Sequence, residues 1–171
     1  MYNCILVSLD GSRVSETVLP EVEKLLKAHP GKVVLLRVGP QVDLDAAAHE
    51  MEPDAERASD LPGDEYELLS NATELEIRRY LEAIAERLSL TGAQPIIEVS
   101  FNKPADEILF FARHYGADLI AMATHGRSGI DRLLHGSVAE HVLRHAPCPM
   151  LLVRAPEGML PPRFAAKAEA L

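Results

Sequence analysis

Short aliphatic runs alternate with helical stripes along this chain, and that alternation restricts the fold more than any other feature. Cys4-Ile5-Leu6-Val7 sits in an apolar stretch, Tyr2–Leu9, that ends at Asp10-Gly11-Ser12, the pattern of a buried strand running into a turn. Ser12 and Ser15 are candidate caps for the next helix. Its stripe is Val18, Val22, Leu25 and Leu26, and His29-Pro30-Gly31 stops it. Val33–Val38 reads as aliphatic on both faces, which suits a central parallel strand. Ile77, Leu81, Ile84 and Leu88 mark a second helix, with Thr73 and Glu76 as a capping box at its start and Gly92 just past its end. Pro95–Phe101 is a third strand. Pro104 opens a helix carrying Ile108, Ala112 and Tyr115 on one side, and Gly116 ends it. Leu119–Thr124 is a fourth strand, Val138–His145 a helix with Ser137 and Glu140 as its capping box, and Met150–Val153 a last strand behind Pro147 and Pro149.

Strand and helix in alternation imply a parallel sheet covered on both faces. With right-handed crossovers the sheet is doubly wound. The expected fold is α/β, a three-layer α/β/α sandwich on a five-stranded Rossmann-like sheet of order 3-2-1-4-5. A chain of 171 residues accommodates one such domain. We place it at residues 1–154, with an acidic insertion at 40–70 and a C-terminal tail at 155–171.

Charge is concentrated in that insertion. The chain has 17 basic and 26 acidic residues, a net charge of −9. Residues 43–67 hold ten acids and one base, Arg57, so the remainder has 16 of each and is neutral. With Pro53, Pro62 and Gly63 and little periodicity, the segment reads as a solvated, partly mobile loop. A neutral scaffold without tryptophan is a poor match for nucleic acid, which needs a cationic footprint and stacking rings. No apolar run is long enough to span a membrane, and the first residues lack the pattern of a signal peptide. Cys4 and Cys148 lie in apolar runs and read as buried, reduced thiols, which fits a cytoplasmic location.

Doubly wound sheets bind ligands beyond the carboxyl ends of their strands, where strand order reverses. That edge gathers Ser8–Asp10, Val38-Gly39 and the loop after the fourth strand. The loop reads Thr124-His125-Gly126-Arg127-Ser128-Gly129, and Gly136-Ser137 opens the next helix. Glycine amides can converge on phosphate oxygens, and a helix N-terminus adds free N–H donors. Ser137 can bind phosphate or cap its own helix, and Arg127 can add a charge-assisted contact or stay solvated. Asp10 can close a turn, hold a ribose hydroxyl, or share Mg²⁺ with phosphates. Val38 with Val7–Leu9 can flank a flat base or simply pack. Other chemistries fail on spacing. There is no G-x-x-x-x-G-K-[ST], and Ile130 stands where the elbow G-x-S-x-G needs its last glycine. His141 and His145 lack the glutamate of a zinc-protease helix, and neither His125 nor His135 has an evident acid–base partner.

From residue 3 to 154 the sequence resembles the universal stress protein family. The run from Met122 to Arg154, MATHGRSGIDRLLHGSVAEHVLRHAPCPMLLVR, follows the family's C-terminal block, and ILVSLDGS at 5–12 matches its first strand. The nucleotide-binding branch carries G-x2-G-x9-G-[ST]. Here the register is Ala123, Gly126 and Gly136-Ser137, with alanine for the first glycine. The resemblance implies an ATP (or ADP or AMP) site in which Ser8, Leu9 and Val38 frame adenine. Asp10 would hold ribose or Mg²⁺. Met122 and Ala123 would line the ribose side, while Gly126, Arg127, Gly129, Gly136, Ser137 and Val138 cradle the phosphates. It also implies a cytoplasmic homodimer paired through the last strand, Cys148–Val153. An apolar edge strand needs a cover in any case.

The expected function is therefore a stress-response regulator that acts through nucleotide occupancy and dimerisation. No catalytic residue is expected, and ATP hydrolysis is expected to be slow at most. The alternatives are a dimeric interaction module of the same fold that binds no nucleotide, and a hydrolase or transferase relying on Asp10 and His125.

Overall fold

The computed structural model describes residues 1–39, 63–124 and 138–156, with the backbone course alone for 63–72. Strand β1 spans Cys4–Leu9 and leads through a 3-10 turn at Ser15–Val18 into α1, Leu19–Ala28. β2 (Lys32–Val38) precedes α2 (Gly63–Ser89), then β3 (Gln94–Ser100) and α3 (Pro104–His114). β4 (Leu119–Thr124), α4 (Val138–His145) and β5 (Met150–Arg154) complete the order. All strand pairs are parallel and the sheet runs β3-β2-β1-β4-β5, the doubly wound order expected from the alternation.

Period-two alternation in the strands splits the core between the two sheet faces. Ile5, Val7, Leu9, Val33 and Leu35 pack with Val22 and Leu26 of α1 and with Ile77, Leu81, Ile84 and Leu88 of α2. Cys4, Leu6, Val34, Leu36, Ile120 and Met122 pack with Ile108 and Ala112 of α3 and Val142 of α4. The buried helical residues are those of the expected stripes. β1 is the axis of both cores, since Ile5, Leu6 and Val7 are all within 1% of full burial.

Three local expectations change. α2 begins at Gly63, so Thr73 lies inside the helix and is not its cap, and the insertion's last residues are helical rather than loop. Asp64, Glu65 and Glu67 occupy the first turns of α2, where acidic residues favour the positive end of the helix dipole. The rest of the insertion, 40–62, lies outside the described residues. α1 is entered through the 3-10 turn, with Ser12 Oγ accepting the Ser15 amide at 3.1 Å. Finally, Cys4 is buried but Cys148 is only half-buried, and both are free thiols. Burial pushes both above the usual thiol range, with the charge of Asp118 adding to the effect.

The amino edge of the sheet is pinned by one carboxylate. Asp118 accepts the amides of Asn3 (2.8 Å) and Cys4 (3.0 Å) and the Asn3 side-chain amide (3.2 Å). Asp118 thus ties the start of β1 to the start of β4. Burial alone would raise its pKa, but these donors together outweigh burial and hold it below the usual value.

Candidate functional site

At the carboxyl edge the central strands part. β1 stays paired with β2 as far as Leu9 and Arg37, and β4 stays paired with β5 as far as Thr124 and Arg154. The ladder between β1 and β4 stops earlier, at Val7 and Ala121. Ser8–Leu9 and Met122–Thr124 therefore border a crevice at the point where strand order reverses, the ligand position of a doubly wound sheet.

Six of the expected site residues meet around this crevice. Leu6 and Met122 face the α3–α4 side, and alternation along β1 puts Ser8 on that side too. Val38, half-buried, packs on the same cluster. Leu9 is buried in the opposite core and Ala123 packs against that core, so Leu9 borders the crevice with its backbone and not its side chain. Asp10 follows Leu9 and is exposed. Its Oδ1 accepts the Ser12 amide at 2.8 Å, an Asx turn, while its own amide donates to Ser15 Oγ at 3.3 Å. Val138, the first residue of α4, is 37% exposed. Gly126, Arg127, Gly129, Gly136 and Ser137, and with them the α4 capping box, lie outside the described residues.

Two contacts behind the Asp10 turn were not anticipated. Gly11 has φ of +80°, a conformation few side chains tolerate, and a Cβ built on it would lie 2.7 Å from Cζ of Arg37. Arg37 stands over the Tyr80 ring of α2 with Cζ 5.1 Å from the centroid. The Tyr80 hydroxyl is shielded from water and has no partner of good hydrogen-bond geometry, although Glu16 and Ser15 lie near it. Burial, then the charge of Glu16, drives its pKa far above the ordinary phenol value, so it stays neutral at any physiological pH. The signal was present in the sequence: Arg37 is a cation one residue from the end of an otherwise aliphatic strand, and Tyr80 breaks an aliphatic helix stripe. Gly39 makes a third close approach, its Cβ position falling 2.6 Å from the Phe101 ring.

No group of three His, Cys, Asp or Glu side chains among the described residues is arranged to hold a metal ion. Among those residues, too, no helix is long and apolar enough to cross a membrane.

The family model for "Universal stress protein family" matches residues 1–154. The chain belongs to the universal stress protein family. Universal stress protein MJ0531 of Methanocaldococcus jannaschii is 35% identical over 160 residues, covering 92% of this chain and 85% of its own. Among solved structures, the protein MJ0577 superposes with a TM-score of 0.70 at 25% identity, covering 92% of this universal stress protein and 99% of that one. Two more distant folds are described with ligands. A universal stress protein in complex with cAMP has a TM-score of 0.63 at 21% identity and covers 90% of this chain and 97% of its own. A family protein from Arabidopsis thaliana with AMP bound has a TM-score of 0.59 at 16% identity, with 91% and 93% covered.

Proposed function

We propose that this universal stress protein binds an adenine nucleotide at the β1–β4 crevice. In this reading it works as a cytoplasmic stress-response regulator, through occupancy of that site and through dimerisation. The supporting observation is the early end of the β1–β4 ladder, which leaves backbone at Ser8–Leu9 and Met122–Thr124 bordering an opening. A base fits between the half-buried Val38 and Met122 by apolar contact, with backbone groups of Ser8 and Leu9 reading its edge. The nucleotides held by the cAMP- and AMP-bound relatives are of the same chemical class.

The phosphates would rest on Gly126, Arg127, Gly129, Gly136, Ser137 and Val138, whose spacing matches the family's nucleotide-binding motif. Backbone amides in such a loop, with a helix N-terminus, bind an anion without a cationic cluster. Mg²⁺ suits the site only as a passenger. Asp10 offers a hard oxygen ligand, and the described residues supply no three-donor cage, so the ion would arrive on the phosphates. There it would neutralise charge between them and the Asp10 carboxylate. In the absence of a nucleophile paired with a base, hydrolysis of ATP is slow. Turnover above about 1 per second, the low end of ordinary enzymes, would contradict a regulator.

The test starts with protein as purified. It is denatured and any released nucleotide is identified by mass spectrometry. ATP and AMP, with and without Mg²⁺, are then titrated into wild type and Gly126→Val. Wild type should bind and the valine variant should lose at least tenfold in affinity. Equal affinities would remove the glycine loop from the site. No binding of either nucleotide to wild type would leave the non-nucleotide interaction module as the reading.

A further inference from the structure

A carboxylate at a strand end is useful to a ligand only if the turn that carries it holds still. Here the turn's own bonds are few: the Ser12 amide on Asp10 Oδ1, the Asp10 amide on Ser15 Oγ, and the Ser15 amide on Ser12 Oγ. All three are local, and a turn held only by its own short bonds opens readily. What ties it to the rest of the fold is Arg37. Arg37 is paired with Leu9 in the ladder, one residue before Asp10. Alternation sends its side chain to the α1–α2 side with Val33 and Leu35. There the guanidinium meets two surfaces, the Tyr80 ring and the bare backbone of Gly11. Glycine at 11 serves both needs: it takes the positive φ, and it leaves the space the guanidinium fills. No carboxylate among the described residues lies within ion-pair distance of Arg37. Stacking and packing, not a salt bridge, hold it. A planar guanidinium does this where an ammonium cannot.

We propose that Arg37 is a positioning residue of the nucleotide site: stacked on Tyr80, it backs the Gly11 turn and so fixes the Asp10 carboxylate at the mouth of the crevice. The proposal rests on the nucleotide reading above, but its first test needs no ligand.

That test is amide hydrogen exchange of the full chain, wild type against Arg37→Ala. The Ser12 amide should exchange about tenfold faster in the variant, while the amides of Ile5, Leu6 and Val7 keep their protection. Arg37→Met retains the stem, and Arg37→Lys retains the charge without the plane. Met guards against a folding defect in the alanine variant, and Lys should protect Ser12 less well than arginine. Unchanged Ser12 exchange in both Arg37→Ala and Arg37→Met overturns the proposal.

The second test is a double-mutant cycle on AMP affinity. Arg37→Ala and Asp10→Asn should each weaken binding about tenfold. Asp10→Asn made in the Arg37→Ala background should add less than threefold, because the carboxylate is already misplaced. Two full, multiplying effects would mean that Arg37 does not act through Asp10, and would overturn the proposal. Wild type that takes up no nucleotide would sink the functional reading instead. That failure is distinguishable, because Ser12 exchange still reports whether Arg37 holds the turn.

Discussion

Leaving a buried hydroxyl without a hydrogen-bond partner costs about 1–3 kcal/mol, and Tyr80 is in that position. Its ring has a use, as the surface under Arg37, and its oxygen has none of equal clarity. Tyr80→Phe should therefore be neutral or stabilising by up to about 1 kcal/mol in urea unfolding. Tyr80→Leu, which also removes the cation–π contact worth about 0.5–1 kcal/mol, should destabilise. Equal losses for Phe and Leu would mean that the hydroxyl is satisfied after all. Asp118 makes the opposite case, a carboxylate wholly used by its donors. Its pKa is lowered by folding, so its contribution is fully present above the unfolded value near 4. That contribution is lost as pH falls through the lower folded value. Wild type should lose stability across that acid window more steeply than Asp118→Asn. At pH 7 the asparagine variant should be weaker by about 1–2 kcal/mol. Parallel pH profiles for the two proteins would exclude Asp118 as the anchor.

At the scale of elements, what could be read from the sequence was whatever had a period. The stripe Ile77, Leu81, Ile84, Leu88 is spaced for one helix face, and those residues are the buried ones of α2. Leu81→Ala should cost about 2–5 kcal/mol, the range for a fully buried leucine. A loss under 1 kcal/mol would mean that α2 packs more loosely than its burial implies. The beginning of α2 was not legible in the same way. Thr73 and Glu76 have capping-box spacing, but the helix continues through them to Gly63, because a cap signature competes with the helix-forming residues before it. The candidate site divides along the same line. Ser8, Val38 and Met122 could be placed together because alternation and strand order settle which face and edge they share. Arg37 was missed because a strand read as aliphatic on both faces leaves no room for a cation. Only the packing of three elements shows it reaching from β2 to Gly11 on one side and Tyr80 on the other.

The two outer edges of the sheet differ, and that difference bears on assembly. β3 is an edge ill suited to pairing. Pro95 lacks an N–H, and Glu98 puts a carboxylate in the strand, where it accepts the Tyr115 hydroxyl. β5 has neither device before Arg154: Met150, Leu151, Leu152 and Val153 form a short apolar strand, with Leu152 still 39% exposed. An open edge of this kind invites a second copy, and a symmetric pair of β5 strands would satisfy both. If that pairing forms the proposed dimer, a charge at Leu152 should break it without reaching either core. Leu152→Lys should sediment as a monomer at micromolar concentration where wild type sediments as a dimer. Its unfolding free energy, measured on the monomer, should stay within about 0.5 kcal/mol, as for a surface substitution. A dimer that survives the lysine would have to use another face. A wild type that is monomeric throughout would leave β5 an unpaired edge and confine regulation to the nucleotide crevice.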